Sequence, residues 1–332
     1  MHKKHALFVI IIVGIGLFLA FGLASAGTPS SWKYEWSKTD FSKSSIDFNE
    51  VISGGPPKDG IPSIDNPRFM AAGKVRETDL AATEPVIGVI IKGKARAYPL
   101  RVLTWHEIVN DTFNGVPITI TYCPLCNSSI VFDRRLDGKL LDFGTTGKLR
   151  NSDMVMYDRQ TESWWQQFLG EGIVGEMTGK RLKTLPSRLE SFANFKKRAP
   201  KGEVLIPNDP GMRRYGVNPY TGYDSAPMPF LYQGELPDYI NPMVRVVVAE
   251  GKAWALPLLA KKGRISDGDL NLSWAAGQNS ALDERRIRDG RDVGNVIVQR
   301  KSASGNTEDI VYDITFAFVY HAFHKGKRIV VE

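Results

Sequence analysis

Sulfur and imidazole are scarce in this chain, which carries two cysteines and five histidines among 332 residues. Two cysteines are too few for a disulfide-stapled scaffold, so packing must hold the fold. No run of five or more like charges occurs. The Lys and Arg residues are interspersed with Asp and Glu, so the formal charge of +7 does not suggest nucleic-acid binding. No G-x-S-x-G elbow surrounds Ser128 and Ser129, which removes the usual serine hydrolase. The stretch "FGTTGKLRNS" (143–152) fails the phosphate-loop spacing, because Gly144 and Gly147 are too close and Leu149 stands where a hydroxyl residue is needed. It reads as a tight turn whose glycines let neighbouring backbone approach.

What is present begins with an export pattern. A short basic start with Lys3 and Lys4, an apolar run from Ala6 to Ala24, and Ala24-Ser25-Ala26 before Gly27 have the order of a secretory signal. The run is close to the roughly 20 residues that span a bilayer, so residues 1–26 are a signal peptide or an N-terminal anchor. The rest of the chain is expected to be extracytoplasmic: secreted, periplasmic or anchored facing outward. Membrane contact is expected only through that segment.

Residues 27–84, rich in Ser, Pro, Gly and Asp, read as an extended lead segment. Residues 85–206 form a β-rich unit. Within it, 85–100 suggests two β-runs hinged at Lys92-Gly93-Lys94. Residues 101–115 have helical spacing with Val102, Trp105, Ile108 and Val109 on one face, and "VPITITYC" alternates as a strand ending at Cys123. A hairpin turning at Asp137-Gly138 follows, and "SRLESFANFKKRAP" suggests one short helix. Residues 207–232, with repeated Pro, Gly and Tyr, are a linker or a functional cover. Residues 233–332 form a second β-rich unit.

The second unit echoes the first. "GKARAYPL" (93–100) and "GKAWALPL" (251–258) differ only at Arg96/Trp254 and Tyr98/Leu256. Three more matches follow in order: "ITITYCPLCNS" with "LNLSWAAGQNS", "DRRLDGK" with "ERRIRDGR", and "MYDRQTESWWQQF" with "VYDITFAFVYHAF". The expected fold is therefore α+β, mainly β, built as two pseudo-repeated units packed together. Ala275 and Gln278 stand opposite Cys123 and Cys126, and the second copy has no counterpart of His106. Three residues missing together point to one site, and the strand and turn evidently form without sulfur.

A Cys-x-x-Cys at a strand end brings two sulfurs close enough to bond each other or to grip one metal ion. Thiol exchange needs a depressed thiol pKa, usually from a helix N-terminus after the first cysteine, whereas "NSSIVFD" is strand-like. Metal binding needs a further ligand, and His106 is the only histidine of the first copy. Cys123, Cys126 and His106 form a soft set suited to copper, or to zinc with a fourth ligand from Met154, Met156, Asp158 or water. Glu107 is a solvated helix residue, a support for a ligand, or a general base. The leading expectation is an exported metal-binding protein, for copper before zinc. The alternatives are a thiol-disulfide oxidoreductase in which Cys123 attacks and Cys126 resolves, acting on a redox partner protein, and a surface scaffold with a structural disulfide.

The residues Trp105-His106-Glu107, Tyr122-Cys123-Pro124-Leu125-Cys126, Ser128, Phe143-Gly144, Gly147, Leu149, Met156-Tyr157-Asp158, Ser163, Trp165 and Gln167 resemble the marks of a family of exported prokaryotic proteins known as a domain of unknown function. The resemblance spans about residues 85–207. It implies where a site lies without implying its chemistry.

Overall fold

Two-residue turns set most of the architecture. Lys92-Gly93, Asn114-Gly115 and Glu250-Gly251 each place two consecutive residues at positive φ, the geometry that joins antiparallel strands with their natural twist. They close the hairpins Pro85–Ile91/Lys94–Pro99, Ile108–Phe113/Val116–Cys123 and Arg245–Ala249/Lys252–Ala255. The computed structural model describes residues 29–302 and 305–332. The export pattern at residues 1–26 lies outside them. The fold is mainly β, with short helices between several sheets.

Asp137-Gly138 does turn a hairpin, a minimal one of Arg135–Leu136 and Lys139–Leu140. Two local expectations are corrected. The helix that starts at Leu100 stops at His106, and Ile108–Phe113 is a strand. Glu107 takes a left-handed conformation that ends the helix, and the Asn114-Gly115 turn then commits the β-branched run to a hairpin. The stretch 143–150 is a strand with a bulge between Thr145 and Lys148, not a turn. Gly147 there, at φ 69, passes so close to the carbonyl of Pro56 that no side chain fits. Trp164 and Trp165 are fully buried core.

Each half contains a hairpin, a seven-residue helix and three further antiparallel strands. In the first these are Leu100–His106 followed by Ile108–Phe113, Val116–Cys123 and Ser128–Asp133; in the second, Leu256–Lys262 followed by Arg264–Asp267, Leu270–Ala275 and Asn295–Lys301. The halves then meet through one strand of each. Arg188–Ser191 pairs with Pro85–Ile91 and packs on Asn295–Lys301, while Asp313–Phe316 pairs with Arg245–Ala249 and packs on Ser128–Asp133. Each crossing carries an asparagine clasp: Ser191 N–H donates to Asn295 Oδ1 at 2.7 Å, and Asn127 Nδ2 donates to Ile314 O at 2.9 Å. One apolar core runs through both halves, joining Ile87, Tyr98 and Ile120 to Val247, Trp254 and Val298. Among the described residues no helix is long and apolar enough to cross a membrane.

Candidate metal centre

Cys123 ends the strand Val116–Cys123, which is flanked on both sides by paired strands. The chain reverses through Pro124–Asn127 and resumes pairing with Ser128 opposite Cys123. Pro124 fixes its own φ at the start of the loop, Cys126 N–H bonds back to Cys123 O at 3.2 Å, and Asn127 takes the left-handed φ of 52° that completes the reversal. Both sulfurs are thereby brought to the carbonyl of Ser152, at 3.8 Å for Cys123 and 3.5 Å for Cys126. The two thiols are free and buried.

The third member comes from a different hairpin. Phe143–Arg150 and Asp153–Asp158 are joined by Asn151-Ser152, at φ 54° and 62°, and Arg150 pairs with Asp153. That tight turn presents Ser152 O and then Asp153 to the thiols. The ligand atoms of Cys123, Cys126 and Asp153 all lie within 4.8 Å of one another. Asp153 is wholly buried. Its Oδ2 accepts from Gln166 Nε2 at 2.6 Å and from Phe168 N–H at 2.9 Å, whereas no nitrogen or hydroxyl donor reaches Oδ1, and both thiols interact with the carboxyl. Burial outweighs those bonds and lifts the carboxyl to about 6. Burial likewise pushes both thiols up, Cys126 well above the ordinary range. Undischarged, the pocket favours protons on all three groups; a cation would exchange for them.

Glu107 borders the same site. It caps the helix at φ 57°, its N–H bonding Leu103 O at 2.6 Å, and its own carbonyl accepts Tyr122 N–H at 2.8 Å, beside Cys123. Its side chain is buried, and among the described residues no group hydrogen-bonds its carboxyl. Burial, reinforced by the charge of Asp153, raises it to about 8. A second buried acid, Asp313 of the other half, takes Ser129 N–H at 2.9 Å and is raised to about 7, chiefly by burial.

His106 points elsewhere, and its expected place as a ligand is corrected. Nδ1 lies 2.7 Å from Pro62 O and Nε2 lies 2.8 Å from Tyr215 Oη, with the Tyr215 ring stacked on the imidazole. A carbonyl can only accept, so Nδ1 carries the proton and Nε2 receives the Tyr215 hydroxyl. Both nitrogens are occupied, and burial lowers the pKa, keeping the ring neutral. Asp158 is also committed, to Thr161 and to Trp165 Nε1. Met154 and Met156 share the apolar cluster around the two cysteines. Sequence reasoning missed Asp153. Its signal was an acid directly after a two-residue Asn-Ser turn, between the stretches 143–152 and 156–168 already quoted.

The Pro/Gly/Tyr-rich stretch passes over the site. Trp105 Nε1 donates to Val217 O at 3.2 Å, Tyr223 Oη to Leu125 O at 2.9 Å, and Ser152 Oγ to Phe230 O at 2.6 Å. Tyr220 packs against the apolar cluster that holds the cysteines; burial, then the nearby Glu107 and Cys123, raise its hydroxyl well above the ordinary range. Asp224 anchors the stretch, accepting from Arg245 at 3.0 Å, Ser280 Oγ at 2.5 Å and Arg291 at 3.1 Å.

A family model described as "Protein of unknown function (DUF3179)" matches residues 58–327. No curated protein and no solved structure matches the chain.

Proposed function

The chain belongs to that DUF3179 family, whose description states no activity, and we propose from its site that it is an exported protein that binds a thiophilic metal ion through Cys123, Cys126 and Asp153. One observation carries the reading: the fully buried carboxyl of Asp153 lies within 4.8 Å of two free thiols, and no nitrogen or hydroxyl donor reaches its Oδ1. Thiols are weak donors to a buried carboxylate, and a cation that replaced their protons would satisfy all three groups at once. Two thiolates suit copper(I) and zinc alike, and the carboxylate in place of an imidazole favours zinc. In an oxidising compartment a bound ion would also hold the thiols apart from oxidation.

Raised thiol pKa values and a buried pair work against thiol exchange, which needs an accessible thiolate. Duplication of one ancestral unit is part of the proposal. It is supported by the shared element order and by the first two sequence matches, which fall on corresponding strands. The last two fall on elements that do not correspond. Asp313–Phe316 occupies the place of Arg188–Ser191, not of the strand containing Met156.

The test is elemental analysis of protein purified from metal-replete cells. Stoichiometric metal in the wild type and in His106→Ala, lost in Cys126→Ser and Asp153→Asn, supports the reading. A metal-free wild type whose thiols titrate reversibly sinks it in favour of an oxidoreductase.

A further inference from the structure

Both sulfurs reach one backbone oxygen: Ser152 O lies 3.8 Å from Cys123 Sγ and 3.5 Å from Cys126 Sγ. An ion about 2.3 Å from sulfur and about 2.1 Å from oxygen, at tetrahedral angles, sets the two about 3.6 Å apart, so the spacing is that of neighbouring ligands. While the thiols keep their protons they donate to this same oxygen. Among the described residues no N–H or hydroxyl donates to it. An ion that displaced the thiol protons would therefore leave a buried carbonyl without a donor, facing two thiolates, unless the ion bound the carbonyl too.

The turn that carries this oxygen points the same way. Asn151 and Ser152, at φ 54° and 62°, form a two-residue hairpin turn whose second place favours glycine. Serine holds that place, fully buried. What it adds over glycine is a hydroxyl, which donates to Phe230 O of the covering stretch at 2.6 Å. Asp153 is the next residue, so one peptide step carries two oxygens to the thiols. We infer that Ser152 completes the centre: its carbonyl is the fourth donor beside Cys123, Cys126 and Asp153, and its hydroxyl latches that donor to the cover. The inference rests on the metal-binding reading. A centre with four protein donors has no open position for water or substrate, so the ion is held rather than used in catalysis. The occupant is a zinc-like divalent cation, since two hard oxygens beside two sulfurs leave copper(I) the poorer match.

The experiment is the crystal structure of the zinc-loaded full-length protein, joined by cobalt(II) absorption and by zinc transfer to a chelator in wild type and Ser152→Gly, a variant that keeps the carbonyl and loses the hydroxyl. Ser152 O should lie about 2.0–2.3 Å from the ion. The visible bands of four-coordinate cobalt in the wild type should be unmoved by excess azide, which binds only where a position is open. Ser152→Gly should take up zinc in the same stoichiometry and lose it to the chelator about fivefold faster or more, the change expected from one lost hydrogen bond. Zinc held by Cys123, Cys126, Asp153 and a water, with Ser152 O out of reach, overturns this assignment alone, and so does an azide-sensitive wild type or an unchanged transfer rate in Ser152→Gly. A wild type that takes up neither ion overturns the metal-binding reading, and this inference with it.

Discussion

Tyr223 reaches across the fold to donate its hydroxyl to the carbonyl of Leu125, 2.9 Å away and 98 residues earlier in the chain. Leu125 lies between the two cysteines, so this bond ties the covering stretch to the loop that shapes the site. Tyr223→Phe removes the donor and leaves the ring packing on Phe230 and Phe316 intact. Loss of one buried hydrogen bond is worth about 1 kcal/mol, which lowers the free energy of local opening by that amount. Modification of Cys123 and Cys126 by a thiol reagent should then speed up about fivefold in the metal-free protein, with little change in the melting temperature. An unchanged rate would mean that the cover does not control access.

His106→Ala separates support from ligation. The imidazole holds Pro62 O and the Tyr215 hydroxyl together, and its loss breaks two hydrogen bonds to half-buried partners. Stability should fall by about 1–2 kcal/mol, while metal stoichiometry stays at the wild-type value. Denaturant unfolding and elemental analysis of the same sample read both quantities.

The buried acids give the metal-free protein a pH dependence of definite sign. Asp153 rises from 3.8 to about 6, Asp313 from 3.8 to about 7 and Glu107 from 4.5 to about 8 on folding. The folded state therefore binds protons more tightly than the unfolded chain does. The contribution is fully present below about pH 4 and is lost as pH climbs through 6 to 8. Melting temperature of the metal-free form should fall across that window, once the ordinary acid denaturation at lower pH is passed. Glu107→Gln should flatten the upper part of the fall, and saturating metal should reverse it. A melting temperature that climbs from pH 5 to 8 without metal would contradict these assignments.

Gly147→Ala tests the bulged strand that leads to Asp153. Its Cβ would collide with Pro56 O, a backbone atom with no room to yield, at a φ already unfavourable to alanine. Destabilisation of about 2 kcal/mol or more is expected by denaturant unfolding. An alanine variant as stable as wild type would show that the lead segment moves aside freely.

Turn chemistry made much of the β architecture readable in advance. Lys92-Gly93, Asp137-Gly138 and the alternation of residues 116–123 announced their strands through local preferences alone. The run after His106 misled because its apolar spacing suits a helix as well as a buried strand, and only tertiary pairing with Val116–Cys123 decides between them. The cysteines were legible as a pair because two residues separate them. Asp153 was not, since its approach to them depends on how two distant hairpins meet. His106 was chosen for its chemistry, yet its ring is engaged by Pro62 O and the Tyr215 hydroxyl, and the chain leaves the helix at the very next residue. A single sequence carries no sign of that step, because glutamate is a poor advertisement for positive φ.

The carbonyl of Cys126 accepts Thr315 Oγ1 at 2.7 Å and Phe316 N–H at 3.3 Å, and Asn127 beside it holds Ile314 O. All three partners belong to the half that has no cysteines. The loop bearing the thiols is therefore cast against a mould supplied by the far end of the chain. Ending the protein before Arg245 would leave every thiol and carboxylate of the proposed centre on the page of the sequence but remove the surface that gives the loop its shape. The cysteine-free half earns its retention as a template, and a chain still emerging from synthesis cannot complete its site until its last strand arrives.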